Sequence, residues 1–288
     1  MKLAKVIRWE FTQSVRSKQF LIITVLIPAI LAIGIFAATR AMGSDLPTSS
    51  EPPPPMLIGM FLAFVLFLGA FMSGVMTMYG VMKEKQSRVV EMMMSSVSAW
   101  ELVCGKLIGL GLAGLIQVIV WAATATIAAA QFFPISLASL TLVHWITYPL
   151  YFVFGYLFIA SIFGTIGASI KDMHSGGAVG FAGAIPYLPM MFSALIIQHP
   201  DTLWIRIVGF IPPFVPGVML LRIGATPLAS EGTQFVPTWE IAVSLVSLAV
   251  GTALMMRFAT KVFEVGMLMT GKSASLRELW RWGRRRRR

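Results

Sequence analysis

Residues 266–273, GMLMTGKS, fit the phosphate-binding pattern G-x-x-x-x-G-K-[ST]. In that pattern backbone amides and a lysine hold nucleotide phosphates, and the loop needs a strand before it, a helix after it and a sheet around them. Here a long apolar stretch precedes the motif and only residues 274–288 follow, with no acidic strand to hold Mg²⁺. The match reads as chance, with Gly271 and Lys272 in a turn. His144, His174 and His199 fall in three different loops or span ends and cannot form one metal site. Cys104 is the single cysteine, which excludes a disulfide framework and a cysteine-based metal site and suggests a structural thiol. No serine–histidine–acid set or carboxylate pair stands out. The chain is therefore expected to have no catalytic, cofactor or metal site of its own.

The stretch 83–106, KEKQSRVVEMMMSSVSAWELVCGK, carries a different kind of chemistry. Glu84 and Arg88 are four apart, and Arg88 and Glu91 three apart, so helical ion pairing is available. Val89, Met92 and Met93 supply an apolar face, and methionine suits adaptable contact surfaces. Glu101 and Lys106 bracket the start of the next apolar run. The pattern suits docking by another protein; a solvated loop with ordinary helix-flank charges is the plainer reading and stays open beside it.

The elements that must position this stretch are membrane helices. Of the 288 residues 57% are apolar and 12% charged, against about a quarter charged in soluble domains, and the mean hydropathy is +0.81. An all-α integral membrane protein is expected. A net charge of +11 would suggest nucleic acid in a soluble protein, but here the basic residues flank apolar runs. Residues 1–19 place Leu3, Ile7 and Phe11 among Lys2, Lys5, Arg8, Arg16 and Lys18, an amphipathic helix on the cytoplasmic membrane face. Basic and polar residues run on to Lys18, and the next apolar run is too long for a cleavable signal peptide.

Six spans are predicted within a membrane domain over 20–258: 20–39, 56–82, 107–130, 142–170, 176–198 and 239–258. Pro28 predicts a kink in the first, and Pro186 and Pro189 a break in the fifth. The 40–55 connection holds four consecutive prolines, Pro52 to Pro55, which favour polyproline II. Within 200–224, Pro212, Pro213 and Pro216 interrupt an apolar stretch, so two short helices meeting at a proline-rich apex are expected to dip into the outer leaflet and return. A basic tail follows over 259–288. Of the 23 lysines and arginines, only Arg40, Arg206 and Arg222 fall on the side away from 83–106, which predicts that both termini and that loop are cytoplasmic. The middles of the spans offer little beyond Ser, Thr, Gly and Gln117, so a proton relay is not expected, although backbone and hydroxyl oxygens can still hold Na⁺. Such a domain is either passive or driven from outside.

The order E-x-x-x-x-R-V-V-E-x-x-x-S-S-V-S-x-x-E-L-x-x-G-K-x-x-G-L-G over 84–111 resembles the permease subunits of ABC-2 type ABC transporters, nearest to the sodium-efflux-type branch. Three further stretches are similar to that family: WEFTQSVRSKQFLIITVLIPA near the N-terminus, the segment 200–222, and KVFEVGMLMTGKSASLRELWRW in the tail. The resemblance implies a six-span exporter permease in the cell membrane that pairs with a second permease copy or paralogue. Two cytoplasmic ABC ATPase subunits would bind the ATP. It implies that Glu84, Arg88, Glu91, Met92, Met93 and Glu101 belong to the ATPase-coupling segment, aided by the N-terminal helix. Pro212, Pro213, Phe214, Pro216 and Arg222 would form an outer re-entrant gate. The short 40–55 connection departs from the large external domain usual in that branch. A non-transporting membrane anchor or regulatory subunit that tethers an ATPase is the alternative. The five terminal arginines, with Trp280 and Trp282, are expected either to hold anionic lipid or to be solvated.

Overall fold

The computed structural model describes residues 2–42, 55–87, 97–130, 142–170, 184–224, 236–266 and 278. Helix dominates the described residues, and no strand occurs among them. The helices are α1 (Lys2–Val15), α2 (Lys18–Met42), α3 (Pro55–Ser87), α4 (Ala99–Ala130) and α5 (Leu142–Ser169). A 3-10 turn (Ile185–Tyr187) leads into α6 (Leu188–Met191), α7 (Ser193–Gln198), α8 (Leu203–Val208) and α9 (Val215–Gly224), and the long α10 (Thr238–Gly266) closes the order.

Among the described residues, three stretches are long and apolar enough to cross a membrane: Ala99–Trp121, Trp145–Ser169 and Thr238–Gly266. Helix α2 runs on through Pro28 as one element. The break expected at Pro186 and Pro189 is present: both prolines open short helical pieces, and Phe192 leaves helical geometry at φ −103°, ψ 18°. Proline is tolerated in a first turn because its missing N–H would have no partner there.

The charged stretch 83–106 is more helical than its composition suggests. Helix α3 has 33 residues and α4 has 32. At ~1.5 Å per residue each is ~50 Å long, against a hydrocarbon core of ~30 Å. The surplus lies at the shared end, where Lys83, Glu84 and Lys85 close α3 and Glu101 and Lys106 open α4. Only 88–96 lies outside the described residues, and with it Arg88, Glu91, Met92 and Met93. Also outside are 43–54, the turn with His174, residues 267–277 of the tail and its terminal arginines.

Interhelical contacts set the direction of each element. Lys85 Nζ donates to Ala168 O at 2.8 Å, so the end of α3 lies beside the end of α5. A Cβ placed on Gly266 would lie 2.6 Å from Ala168 O, so α10 ends there too. The starts of α5 and α10 meet at the opposite end, where Tyr151 Oη lies 2.6 Å from Ser244 Oγ. The core follows this division. One apolar cluster joins α1, α3, α4 and α5 through Val6, Leu102, Leu107, Tyr156 and Phe163. The other joins α5, α7, α9 and α10 through Tyr151, Ile196, Met219 and Leu248. Lipid leaves no hydrophobic drive between helices, so close packing at small residues holds such interfaces. Gly74 of α3 faces the Phe163 ring of α5, and Gly111 of α4 faces the Tyr156 ring.

Candidate functional site

Two buried ion clusters mark the two ends of the bundle. At the first end, α1 runs parallel to the start of α4. A Cβ on Gly105 would lie 2.5 Å from Val6 Cγ1, and one on Gly109 would lie 2.8 Å from Ile7 O and 2.7 Å from Glu10 Cβ. These glycines let the two backbones approach closely. Val6 and Glu10 are the buried residues of α1, one turn apart, while Lys5, Arg8 and Trp9 are exposed. The face of α1 that carries Val6 and Glu10 packs onto α4, with Leu3, Ile7 and Phe11 half-buried beside it.

Glu10 is the odd residue on that face. Lys106 of α4 donates to Glu10 Oε1 at 2.5 Å and to Glu84 Oε1 of α3 at 2.6 Å. Lys106 is 3% exposed and Glu10 5%, so this is a desolvated cluster, with Glu84 more open at 18%. An unpaired charge there would be costly, and the pairing offsets that penalty. One ammonium faces two carboxylates. Burial pushes the Glu10 carboxyl above its ordinary value; the Lys106 charge opposes that and neighbouring Glu84 reinforces it. The next residue, Lys85, caps the last carbonyls of α5 through Ala168 O, and burial lowers its pKa.

Among the residues expected at the coupling segment, Glu84 therefore points inward, to Lys106. Glu101 closes a capping box. Its Oε2 accepts from Ser98 N at 3.1 Å and from Ser98 Oγ at 2.9 Å, and its own N–H donates to Ser98 Oγ at 3.2 Å. These hydrogen bonds, the backbone one first, hold the Glu101 carboxyl below its usual value. The two flanks of 88–96 are thus fastened by different means: α3 by ion pairs, and α4 by its cap.

At the other end, α8 and α9 meet at 209–214, as a helix–turn–helix closed by Phe214 N to Ile211 O at 2.8 Å. The prolines of this segment seat on glycines of neighbouring helices. A Cβ on Gly155 of α5 would lie 2.7 Å from Pro216 Cγ, and one on Gly251 of α10 would lie 2.5 Å from Pro212 Cβ. Gly217 faces Pro189 in the same way, at 3.0 Å. Pro212, Pro213 and Phe214 are half-buried, and every residue of α9 is buried. Ser247 Oγ of α10 donates to Phe210 O at 2.7 Å and fastens the turn.

Arg222 lies at the end of α9, fully buried. Its Nη1 donates to Glu240 Oε2 at 2.7 Å, its Nε donates to Pro200 O at 2.8 Å, and Asp201 lies 3.6 Å from Nη2. Arg206 of α8 pairs with the other oxygen of Glu240. The Arg206 guanidinium also lies 5.9 Å from the Trp239 ring centre, with Phe210 stacked on that ring. Glu240 is in the first turn of α10, where a carboxylate complements the helix dipole. Of the residues expected at an outer gate, the structure thus gathers Pro212, Pro216 and Arg222 against α5 and α10. Glu10 and Glu240, the two residues that complete these clusters, were not singled out in sequence. The signal for Glu10 was a lone acid beside Val6 and Ile7 on the apolar side of α1.

A family model described as "ABC-2 family transporter protein" matches residues 45–261. The chain is similar to an uncharacterized protein of Methanocaldococcus jannaschii, 26% identical over 230 residues, which are 77% of this chain and 53% of the relative. It is also similar to the uncharacterized protein YhaP of Bacillus subtilis, 23% identical over 231 residues, 76% of this chain and 53% of the relative. The chain spans about half the length of the curated relatives it matches.

Proposed function

Since the chain belongs to the ABC-2 family of transporter proteins, we propose that it is the six-span permease subunit of an ATP-driven exporter. ATP is bound and hydrolysed by separate cytoplasmic ATPase subunits, and a second permease copy or paralogue completes the pathway. Both termini and the 88–96 loop face the cytoplasm, in line with the distribution of basic residues. The 209–214 turn faces outward as the apex of a re-entrant gate.

One observation carries the reading. The segment 88–96 joins two helices that outlast a bilayer, and each of its flanks is fastened, to Lys106 and Ala168 on the α3 side and by the Ser98–Glu101 cap on the α4 side. A tip mounted in this way passes a push from a cytoplasmic partner into α3, α4 and α5 together. Arg88, Glu91, Met92 and Met93 are the contact residues; Glu84 and Glu101 hold the flanks. The short 40–55 connection favours a second reading, a tethering subunit without transport.

The test is isolation of the protein with its ATPase from its host membrane and reconstitution in liposomes. Arg88→Ala with Glu91→Ala is expected to leave insertion intact and to reduce ATPase retention or ATP turnover at least fivefold. Unchanged retention and turnover would refute the coupling role. Retention of an ATPase whose turnover no lipid or solute stimulates would favour the tether.

A further inference from the structure

The inner cluster has a consequence for α1. Residue pairs 6/105 and 10/109 keep one offset, so α1 follows α4 in register along its first turns. Within this contact Lys106 bonds both α1 and α3, through Glu10 and Glu84. Its side chain also lines a small cavity with Thr77 of α3, Gly164 of α5, and Ala259 and Phe263 of α10. The backbone carbonyl of the adjacent Leu107 accepts from Tyr156 Oη of α5 at 3.1 Å. Lys106 thus stands where α1, α3, α4, α5 and α10 converge.

Neighbouring residues of α3 divide the load. Glu84 holds α4 and α1 through Lys106, and Lys85 holds the carbonyl end of α5. Without Glu10, α1 would keep the contact of Val6 and its half-buried apolar residues against two glycines, and the attraction of Lys2 for Glu101. With it, the helix is tied by a charge-assisted hydrogen bond in a desolvated setting, where such bonds are strongest. A buried carboxylate on the packed face of an amphipathic helix also commits that face. Laid on lipid instead, Glu10 would lose its partner.

We propose that Lys106 is a positioning residue: through Glu10 and Glu84 it locks α1 to the adjoining ends of α3 and α4, so that these three helices respond to the partner ATPase as one body. This rests on the exporter reading only in its last clause; the lock itself belongs to the isolated chain.

Two measurements separate the parts. The first uses the purified full-length protein alone. A Val6→Cys reporter, in a Cys104→Ala background, is buried by docked α1 and is expected to react slowly with maleimide. Lys106→Met or Glu10→Ala is expected to raise its rate about tenfold, and the reciprocal exchange Glu10→Lys with Lys106→Glu, which keeps the same set of charges, to return it to within about threefold. Protection unchanged in Lys106→Met and Glu10→Ala would overturn the lock. If Lys106→Met fails to insert, Glu10→Ala and the reciprocal exchange decide the question.

The second uses the ATPase complex in liposomes, with a Thr202→Cys reporter on the exposed start of α8. Vanadate trapping with ATP is expected to change its labelling rate about threefold in the otherwise unaltered chain. Lys106→Met is expected to abolish that change in complexes that still trap nucleotide, and the reciprocal exchange to restore it. A response that survives Lys106→Met would overturn the transmission role. No response in the unaltered chain would count against the exporter reading instead, leaving the first measurement to decide the lock.

Discussion

At the α1 end, one ammonium is shared by two carboxylates that arrive on different helices. At the proline-rich end, two guanidiniums converge on one carboxylate, with Asp201 at the rim. Both clusters are buried, yet their surroundings differ. The first is assembled from long helices that meet side by side, and its members are 96 and 22 residues apart in sequence. The second is assembled from short pieces between 200 and 240, with proline–glycine contacts to α5 and α10 around it. The first ties a peripheral helix to a hairpin; the second ties a folded-back segment to the helix that follows it. In the first cluster two carboxylates meet at Lys106, and burial raises the pKa of Glu10.

The largest expected effect is at the proline-rich end. Arg222→Met removes the partner that is itself fully buried and leaves Glu240 facing only the half-exposed Arg206. Breaking such a pair costs about 3–5 kcal/mol, whereas exchanging both members for apolar residues is often neutral. Arg222→Met should therefore lower the thermal midpoint of the detergent-purified protein sharply, and Arg222→Met with Glu240→Leu should recover most of the loss. If the double variant is no better than the single one, the cluster matters for more than the burial of a charge.

A smaller effect is expected from crowding the close approaches. Alanine at Gly109 meets the Ile7 carbonyl and Glu10 Cβ, and alanine at Gly251 meets the Pro212 ring. Overpacking of this kind costs about 1–3 kcal/mol. The two should differ in what they release: Gly109→Ala should speed maleimide reaction at Val6→Cys, and Gly251→Ala should leave it alone. Equal effects on that reporter would erase the distinction between the ends.

Much of this arrangement was legible in the sequence. The period of Leu3, Ile7 and Phe11 marked α1, and Pro186, Pro189, Pro212 and Pro213 marked breaks that the backbone has, because a proline cannot donate the helical hydrogen bond; Pro28 did not, since α2 runs on through it, as α5 does through Pro149. The 83–106 stretch was read as loop because charge density suggests solvent. Its ends are helical all the same, since Glu84, Lys85, Glu101 and Lys106 find ion pairs, carbonyls or a cap that let the helices continue. The Ser98–Glu101 spacing carries the S-x-x-E signature of a helix start. Glu10, by contrast, shows no partner in its own segment: its cation is on α4, and only the docking of α1 brings them together. The same holds for the glycine sockets, because a glycine in an apolar run does not say which proline or carbonyl it will meet.

The pH response tests the Glu10 carboxyl directly. Glu10 has a raised pKa when docked, so docked α1 binds a proton more tightly than released α1. Docking should be strongest at or below the ordinary carboxylate pKa and should weaken as pH rises through the raised value. The groups facing Glu10 include Lys106 of α4, Glu84 of α3 and the Tyr156 hydroxyl of α5. Labelling of Val6→Cys, corrected for thiol ionisation with an exposed reference cysteine, should accelerate across that window. Glu10→Gln should flatten the profile, and a profile unchanged by Glu10→Gln would remove the proton from the account.

The smallest effect belongs to the cap. Ser98→Ala removes the hydroxyl that accepts from Glu101 N and donates to its carboxylate. Losing such a cap costs about 1 kcal/mol and acts on the first turn of α4. Glu101→Gln keeps the reach of the side chain and can still accept from Ser98 N. If Glu101 serves the cap, Glu101→Gln should leave ATPase retention as it was, and Ser98→Ala should fray residues 99–102 in amide exchange without opening α1. If Glu101 instead touches the ATPase through its charge, the order reverses: Glu101→Gln weakens retention and Ser98→Ala does not. The flank of the loop that is fastened by a cap rather than by ion pairs would then be the one that the partner grips.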